Sequence, residues 1–317
     1  MAENSRVVVI GDALIDELRF GRETASFVGG AALNVAVGLS VLGVPTTLIA
    51  MVGDDSDGQD IRDHLAGHDV GLLATTGPRG SSRAISDRTD GEPTYRFNEA
   101  AQARRIVFGA REKAAIDSAA LVVVSCFPFD DDEQAAALAD SVSTPERRLL
   151  LDPNPRAGML HDRERFARNF ERAAARALLT KVGEEDAELL YGVTLSALRD
   201  RLLRSGASSI LATAGAEGAE VATGSGTRVR SSIVPLPGPV IDTMGAGDAT
   251  LSAFAATIAL DGIPTTDRRW QEALVDAMGI AAATCRAEGA LLRLPVDRVP
   301  PVHEDDGQVV TEGTLRI

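Results

Sequence analysis

Short β-branched or Leu-rich runs alternate along this chain with longer segments of helical spacing, and that alternation restricts the fold more than any other feature. "RVVVIG", "TTLIAMVG", "ALVVVS", "RRLLLD" and "SSILATAG" read as strands apolar on both faces. Between them, "GAALNVAVGLSVLG", "DEQAAALADSV", "ERFARNFERAAARALL" and "TLSALRDRLLRSG" carry apolar residues at helical intervals. Strands buried on both faces need helices on both sides, so the expected class is α/β, a three-layer sandwich around a mostly parallel sheet. Neither an internal repeat nor a low-complexity linker divides the chain, and residues 1–317 read as a single domain. Two stretches break the rhythm, 13–28 and 81–97. In the second, a polar "TDGEP" separates two strand-like runs as in a hairpin. Strands without covering helices are expected to form a small β lid over the carboxyl ends of the main sheet, where such folds bind ligands.

Composition removes several functions. With 32 Lys plus Arg against 46 Asp plus Glu, the formal charge is −14, and so acidic a surface repels a phosphate backbone; nucleic acid is not an expected partner. Cys126 and Cys285 are the two cysteines, each in an apolar stretch, too few for a disulfide framework and without zinc-site spacing; they read as core thiols of a reducing compartment. The start "MAENSRVVVIGD" has no basic segment followed by a long apolar run, and no stretch approaches the about 20 apolar residues of a membrane span, so the expectation is a cytoplasmic protein with no membrane partner. A dinucleotide-dependent oxidoreductase would need G-x-G-x-x-G after the first strand, whereas "VVVIG" is followed by "DALID".

"IDTMGAGDATLSAF" at 241–254 is the chemically richest stretch. Leu251, Phe254, Ala255 and Ile258 form one apolar stripe, which starts a helix near Gly247 or Asp248. Gly245, Ala246 and Gly247 carry nothing larger than a methyl group, so the unpaired N–H groups of that helix start can approach an anion such as a phosphoryl oxygen. An acid beside a phosphate is repulsive, yet Asp248 makes sense as the base that takes the proton of an attacking hydroxyl. From the aspartate and glycines alone, the reading of Asp248 as a helix cap is the favoured one.

"DTMGAGDA" resembles the DTxGAGD element of the ribokinase-like (PfkB) sugar kinases, and "VGGAALNVAVGLSVLGVPTTLIAMVGDDSDG" at 28–58 resembles their N-terminal glycine-rich element. "GDALID", "LDPNPR", "TKVGEED", "ATAGAEGAEV" and "CRAEGALLRLP" follow the family order, so the resemblance spans essentially the whole chain. It implies a ribokinase-like, Rossmann-like sandwich and a carbohydrate kinase using ATP and Mg2+. Asp248 would be the catalytic base, with the N–H groups of Gly245, Ala246 and Gly247 as its anion hole. Asp12, Asp16, Gly29, Gly30 and Asn34 would hold the sugar, joined by Arg96 and Asn154. An acid and an amide offer a polyol its acceptors and donors, although Asp16 also fits a loop acid and Asn34 a helix-start residue. Lys181, Thr213, Gly215 and Gly218, with Arg156, would border the nucleotide; the glycines also fit plain turn chemistry, and Arg156 a surface cation.

The departures are informative. Where many relatives carry an N-x-x-E segment that organises Mg2+, this chain has Gly183 and Asp186, so the amide is absent and the acid is one methylene shorter. Asp186 is the expected metal-side residue. Asp242 and Gly289 stand where relatives bind a monovalent cation such as K+, but Arg293 replaces a small polar residue there. "GDALID" and "KVGEED" are closest in appearance to fructokinases, which puts fructose first as acceptor, ribose second, and leaves ribokinase and nucleoside kinase as alternatives. A catalytically silent sugar or nucleotide sensor on the same fold is the alternative of another class. A phosphofructokinase type is less expected, because the sugar-side segments show no added Arg or Lys cluster for a second phosphate; Arg83 and Arg96 of the lid are the candidates, and lone lid arginines are usually solvated. A lid of few strands leaves open edges, so a homodimer through the lid is expected.

Overall fold

The computed structural model describes residues 5–20, 23–87, 94–143 and 148–296. Nine strands form the main sheet in the order β13-β12-β11-β10-β9-β8-β1-β4-β5. They are β1 (Val7–Gly11), β4 (Thr46–Val52), β5 (Gly71–Thr76), β8 (Leu121–Ser125), β9 (Leu149–Asp152), β10 (Leu179–Gly183), β11 (Ser209–Thr213), β12 (Ala219–Thr223) and β13 (Arg228–Ser231). From β11 to β5 all pairings are parallel, while β12 and β13 close one edge antiparallel. The pleat divides each strand between two cores. Val7, Val9, Leu48, Val123 and Leu211 face one core, and Val8, Ile10, Ile49, Val122 and Ile210 face the other.

Helices α1 (Ala31–Val41), α2 (Ser56–Gly67), α9 (Ala246–Asp261) and α10 (Asp267–Thr284) cover the first core. The second lies under α4 (Ala110–Ser118), α5 (Asp132–Ser141), α6 (Arg163–Ala174), α7 (Glu184–Tyr191) and α8 (Leu195–Arg204). The short α3 (Glu99–Gln102) sits at the strand ends, with Ala101 packed beside Cys126 and Met159. This is the three-layer sandwich expected from the alternation. Side chains cap several of these helices, among them Asp131 on α5, Asp162 on α6 and Thr266 on α10, satisfying N–H groups that the helix leaves open.

A second sheet of four strands, in the order β3-β2-β6-β7, comes from the two stretches that broke the rhythm. Its members are β2 (Leu14–Phe20), β3 (Glu23–Gly29), β6 (Ser82–Asp87) and β7 (Thr94–Phe97). The "TDGEP" turn lies outside the described residues. Arg83 is not the solvated cation expected: its guanidinium grips Asp57 of α2 at 2.6 and 2.7 Å and also pairs with Glu17 of β2. Asp55 accepts the N–H of Ser81 at 2.8 Å and its hydroxyl at 2.6 Å, a second tie between the sheets. Cys126 is buried, but Cys285, at the end of α10, is only half-buried rather than a core thiol. Among the described residues no helix is long and apolar enough to cross a membrane.

Candidate active site

Parallel strands end on the same side, which gathers residues far apart in sequence. Asp12 follows β1, Cys126 follows β8, Asp152 ends β9 with Asn154 and Arg156 just beyond, and Asp186 opens α7 after β10. Two helix N-termini point to the same place. Gly30 precedes α1 with φ 111°, and a Cβ there would stand 3.0 Å from the Asp12 carbonyl oxygen and the Ala13 Cα, so only glycine lets the chain turn so tightly into the helix. Gly245 caps α9 with φ 77°, and a Cβ on it would collide with the Ala290 carbonyl oxygen. The helix starts at Ala246, one residue earlier than the apolar stripe suggested, because this left-handed glycine ends the preceding turn.

Asp248 lies in the first turn of α9 and is 8% exposed. Its Oδ2 accepts a hydrogen bond of 2.9 Å from Asn34 Nδ2, which joins the N-terminal turns of α1 and α9. Burial pushes its pKa up to about 7, with Asp152 adding to the rise and Asn34, Lys181 and Arg156 opposing it. The Asn34 Oδ1 is buried without a hydrogen-bond partner among the described residues. Asp248 does not accept from its own helix as a capping side chain does; α9 has no side-chain cap.

Asp12 takes the N–H of Ala32 at 2.9 Å, and burial raises its pKa against the pull of that N–H, Arg104 and Arg156. Asp16, on β2, is pushed up to about 6 by burial and by the charge of Asp12. Gly29 stands beside the Asp16 carboxylate so closely that any Cβ would overlap Oδ2. Asn154 is held at φ 36°, an uncommon backbone for a residue with a side chain and of a kind that clusters at functional sites. Arg96 is not brought to this group. It is exposed, and the register that sets Phe97 opposite Ala84, and Ala84 opposite Asp16, turns Arg96 to the other face of the small sheet.

On the other side of Asp248, Lys181 Nζ donates to Asp152 Oδ2 at 2.9 Å, a pair buried between β10 and β9. Asp152 Oδ1 has no hydrogen-bond partner among the described residues. Asp186 takes the N–H of Gly183 at 2.6 Å, and burial followed by the Asp152 charge raises its pKa. Thr213 ends β11, and the turn through Gly215 and Gly218 follows it, Gly215 lying near Glu184 of α7. Asp242 and Gly289 do come together: the Asp242 carboxylate accepts the N–H of Met244 at 2.9 Å and of Gly289 at 3.3 Å. Among the described residues no three His, Cys, Asp or Glu side chains cluster as a ready metal site. Asp152 was missed in the sequence although "LLLD" marks a charged residue directly at the end of a buried strand.

The sandwich, the small sheet and the convergence of two helix starts on one buried acid define the ribokinase-like class of α/β enzymes. The chain belongs to the pfkB family of carbohydrate kinases: the family model "pfkB family carbohydrate kinase" matches residues 4–297. It is a phosphotransferase acting on a sugar hydroxyl. A fructokinase of Rhizobium leguminosarum bv. trifolii is 31% identical over 275 residues, covering 82% of this chain and 81% of that protein. The crystal structure of fructokinase with bound ATP from Xylella fastidiosa superposes with a TM-score of 0.77 at 20% identity, covering 90% of this chain and 94% of that one. Fructokinase from Vibrio cholerae O395 in its fructose, ADP and calcium ion bound form gives 0.73 at 22% identity, with 90% and 94% covered.

Proposed function

We propose that the protein is an ATP-dependent sugar kinase with fructose as first acceptor and ribose as second. The observation that carries the mechanism is Asp248 itself: buried at the start of α9, hydrogen-bonded to Asn34 and with a pKa of about 7, it is poised to accept a proton near neutral pH. In this reading Asp248 takes the proton of the acceptor hydroxyl as its oxygen attacks the γ-phosphorus of ATP, and the bond from that phosphorus to the β–γ bridging oxygen breaks, so that ADP leaves. The N–H groups from Gly245 to Asp248, at the positive end of α9, receive the negative charge that builds on the transferring phosphoryl. The free Asn34 Oδ1, with Asp12 and Asp16, supplies acceptors for the remaining hydroxyls.

The small sheet acts as the lid, since Asp16 on it faces Asp12 and the Arg156 charge. ATP lies along the turn at Thr213, Gly215 and Gly218. A divalent cation fits beside it: the unpartnered Asp152 Oδ1 and the neighbouring Asp186 are hard oxygen donors of the kind Mg2+ prefers. Such an ion would neutralise phosphate charge. The Asp242 carboxylate accepts the N–H groups of Met244 and Gly289, which ties the α9 turn to the 289 segment. The relatives named fructokinase favour the ketohexose; a nucleoside that turns over as fast as fructose would move the acceptor to the nucleoside class.

The test is Asp248→Asn, which keeps size and capping ability but cannot take a proton. Removing a positioned base costs on the order of 100- to 10,000-fold in kcat, with sugar and ATP binding little changed. Mg2+-dependent ADP release with a panel of sugars is the assay. Turnover within about threefold of wild type would leave Asp248 a structural acid, and no turnover of any sugar by the wild type would leave a sensor.

A further inference from the structure

The small sheet carries Asp16 on one face and a charged cluster on the other. Side chains alternate along β2, so Asp16 and Glu17 point in opposite directions. The register sets Arg83 opposite Ile15, on the Glu17 face, while Ala84 lies opposite Asp16. Glu17 is buried, and both Arg19 and Arg83 donate to its carboxylate. The same Arg83 guanidinium grips Asp57, in the first turn of α2, through Nε at 2.6 Å and Nη2 at 2.7 Å. Because α2 follows β4 of the main sheet, one guanidinium joins the main body to the strand that bears Asp16, at the residue next to that acid. The main chain of Arg83 is fixed as well: the Asn98 side chain accepts its N–H at 3.0 Å, and its carbonyl accepts the Asn98 N–H at 3.1 Å. An isolated surface ion pair tolerates many geometries, whereas a planar fork held between carboxylates of two elements fixes distance and angle together. Arg19 and Arg83 balance Glu17 and Asp57 in charge, so the cluster calls for no further ion.

Resting on the kinase reading above, we infer that Arg83 is a positioning residue of the acceptor site: by clamping Glu17 to Asp57 it sets the height of β2 over the main sheet and so aims Asp16 at the sugar. Arg83 itself touches no substrate. Without it Glu17 and Asp57 would face each other as like charges, and the small sheet would lift from α2. The loss falls on the sugar and not on ATP, because Asp248 and its glycine turn stand at the start of α9 and the Thr213 turn follows β11, none of them in contact with the clamp.

The experiment is steady-state kinetics with the sugar that wild type turns over fastest, sugar and ATP being varied separately. Arg83→Met is expected to raise the KM for sugar about tenfold, with kcat within about threefold and the KM for ATP unchanged, a loss in keeping with a small displacement of one binding group. Asp57→Asn, on α2 and outside the small sheet, should raise the same KM. Arg83→Lys, which keeps the charge but not the fork, should fall between wild type and Arg83→Met. Because Arg83→Met strands two carboxylates and can fail to fold, Arg83→Met/Asp57→Asn, in which Glu17 keeps Arg19, is measured beside it and should show the same rise. Action through Asp16 is read from a double-mutant cycle: in an Asp16→Asn background Arg83→Met should lower kcat/KM by less than about threefold, against about tenfold in the wild-type background. A sugar KM at the wild-type value in Arg83→Met/Asp57→Asn overturns the proposal, as do an equal rise in the KM for ATP and a further loss of about tenfold on top of Asp16→Asn. A merely structural cluster would lower the melting temperature and leave the sugar KM of the folded protein where it was. Failure here with sugar turnover intact removes only the role of Arg83; a wild type that turns over no sugar removes the kinase reading and this inference with it.

Discussion

At Asp248, burial has a consequence for both rate and stability. A base with a pKa of about 7 is half protonated at neutral pH. The kcat/KM for sugar should therefore climb as pH rises toward 7 and level off above it, with Asp16, at about 6, steepening the acid limb. The effect on stability has the opposite direction. The folded protein holds the Asp248 proton up to about 7, whereas the unfolded chain releases it near 3.8, so stability falls as pH rises between those values. Asp248→Asn, which cannot ionise, should melt above wild type at pH 8 and near it at pH 4. Matched melting curves check this; equal melting temperatures at both pH values would show that burial does not disfavour the charge. Asp248 was legible because its three small neighbours and the apolar stripe behind it are contiguous. Asp152 was not, because its partner Lys181 is 29 positions away and only the pairing of β9 with β10 brings the two together.

Among the elements, the strands read from sequence were those buried on both faces, such as β1 and β8, where burial leaves a continuous apolar run. β5 escaped because it is an edge strand with a half-exposed pattern, and β10 because its run is interrupted by Lys181. The turn into α9 was legible as glycine-rich, but the reason for Gly245 was not: the obstacle is the carbonyl of Ala290, 45 positions away in a loop without periodicity. That contact supports a prediction. In Gly245→Ala the methyl must displace either the anion turn or the 290 segment, and the residue also bears the cost of a left-handed backbone, about 1–2 kcal/mol. Gly238 has φ 89° with nothing within 4 Å of its would-be Cβ, so Gly238→Ala bears the backbone cost alone. Both variants should lose melting temperature, the first more, but only Gly245→Ala should lose turnover, by about tenfold or more given the value of an oriented anion-hole donor. Equal kcat in the two variants would detach the turn geometry from catalysis.

For the whole molecule, the open question is what covers the small sheet. The acidic balance of the sequence spoke against nucleic acid, yet it could not reveal how Asp16 and its neighbours share a face, because that follows from strand register. Asp16 lies opposite Phe27 on β3, so the two side chains stand on the same side, and Phe27 is 54% exposed with Ala25 also open. β3 is moreover an edge strand, with residues 24–27 all exposed. An apolar face next to the Asp16 carboxylate, on a sheet with an exposed edge strand, is best satisfied by the same face of a second copy, which would bury Phe27 and, in the function proposed above, wall off the acceptor site at once. The expected state is a homodimer at micromolar concentration by light scattering, persisting at high salt because the contact is apolar rather than ionic. Phe27→Ser should shift it to monomer and raise the KM for sugar more than it lowers kcat, since Asp248 and the glycine turn before it stand at the start of α9, outside the small sheet. A wild type that scatters as a monomer at that concentration would assign the exposed Phe27 to the lid of a single chain, and the sugar site would then be complete without a partner.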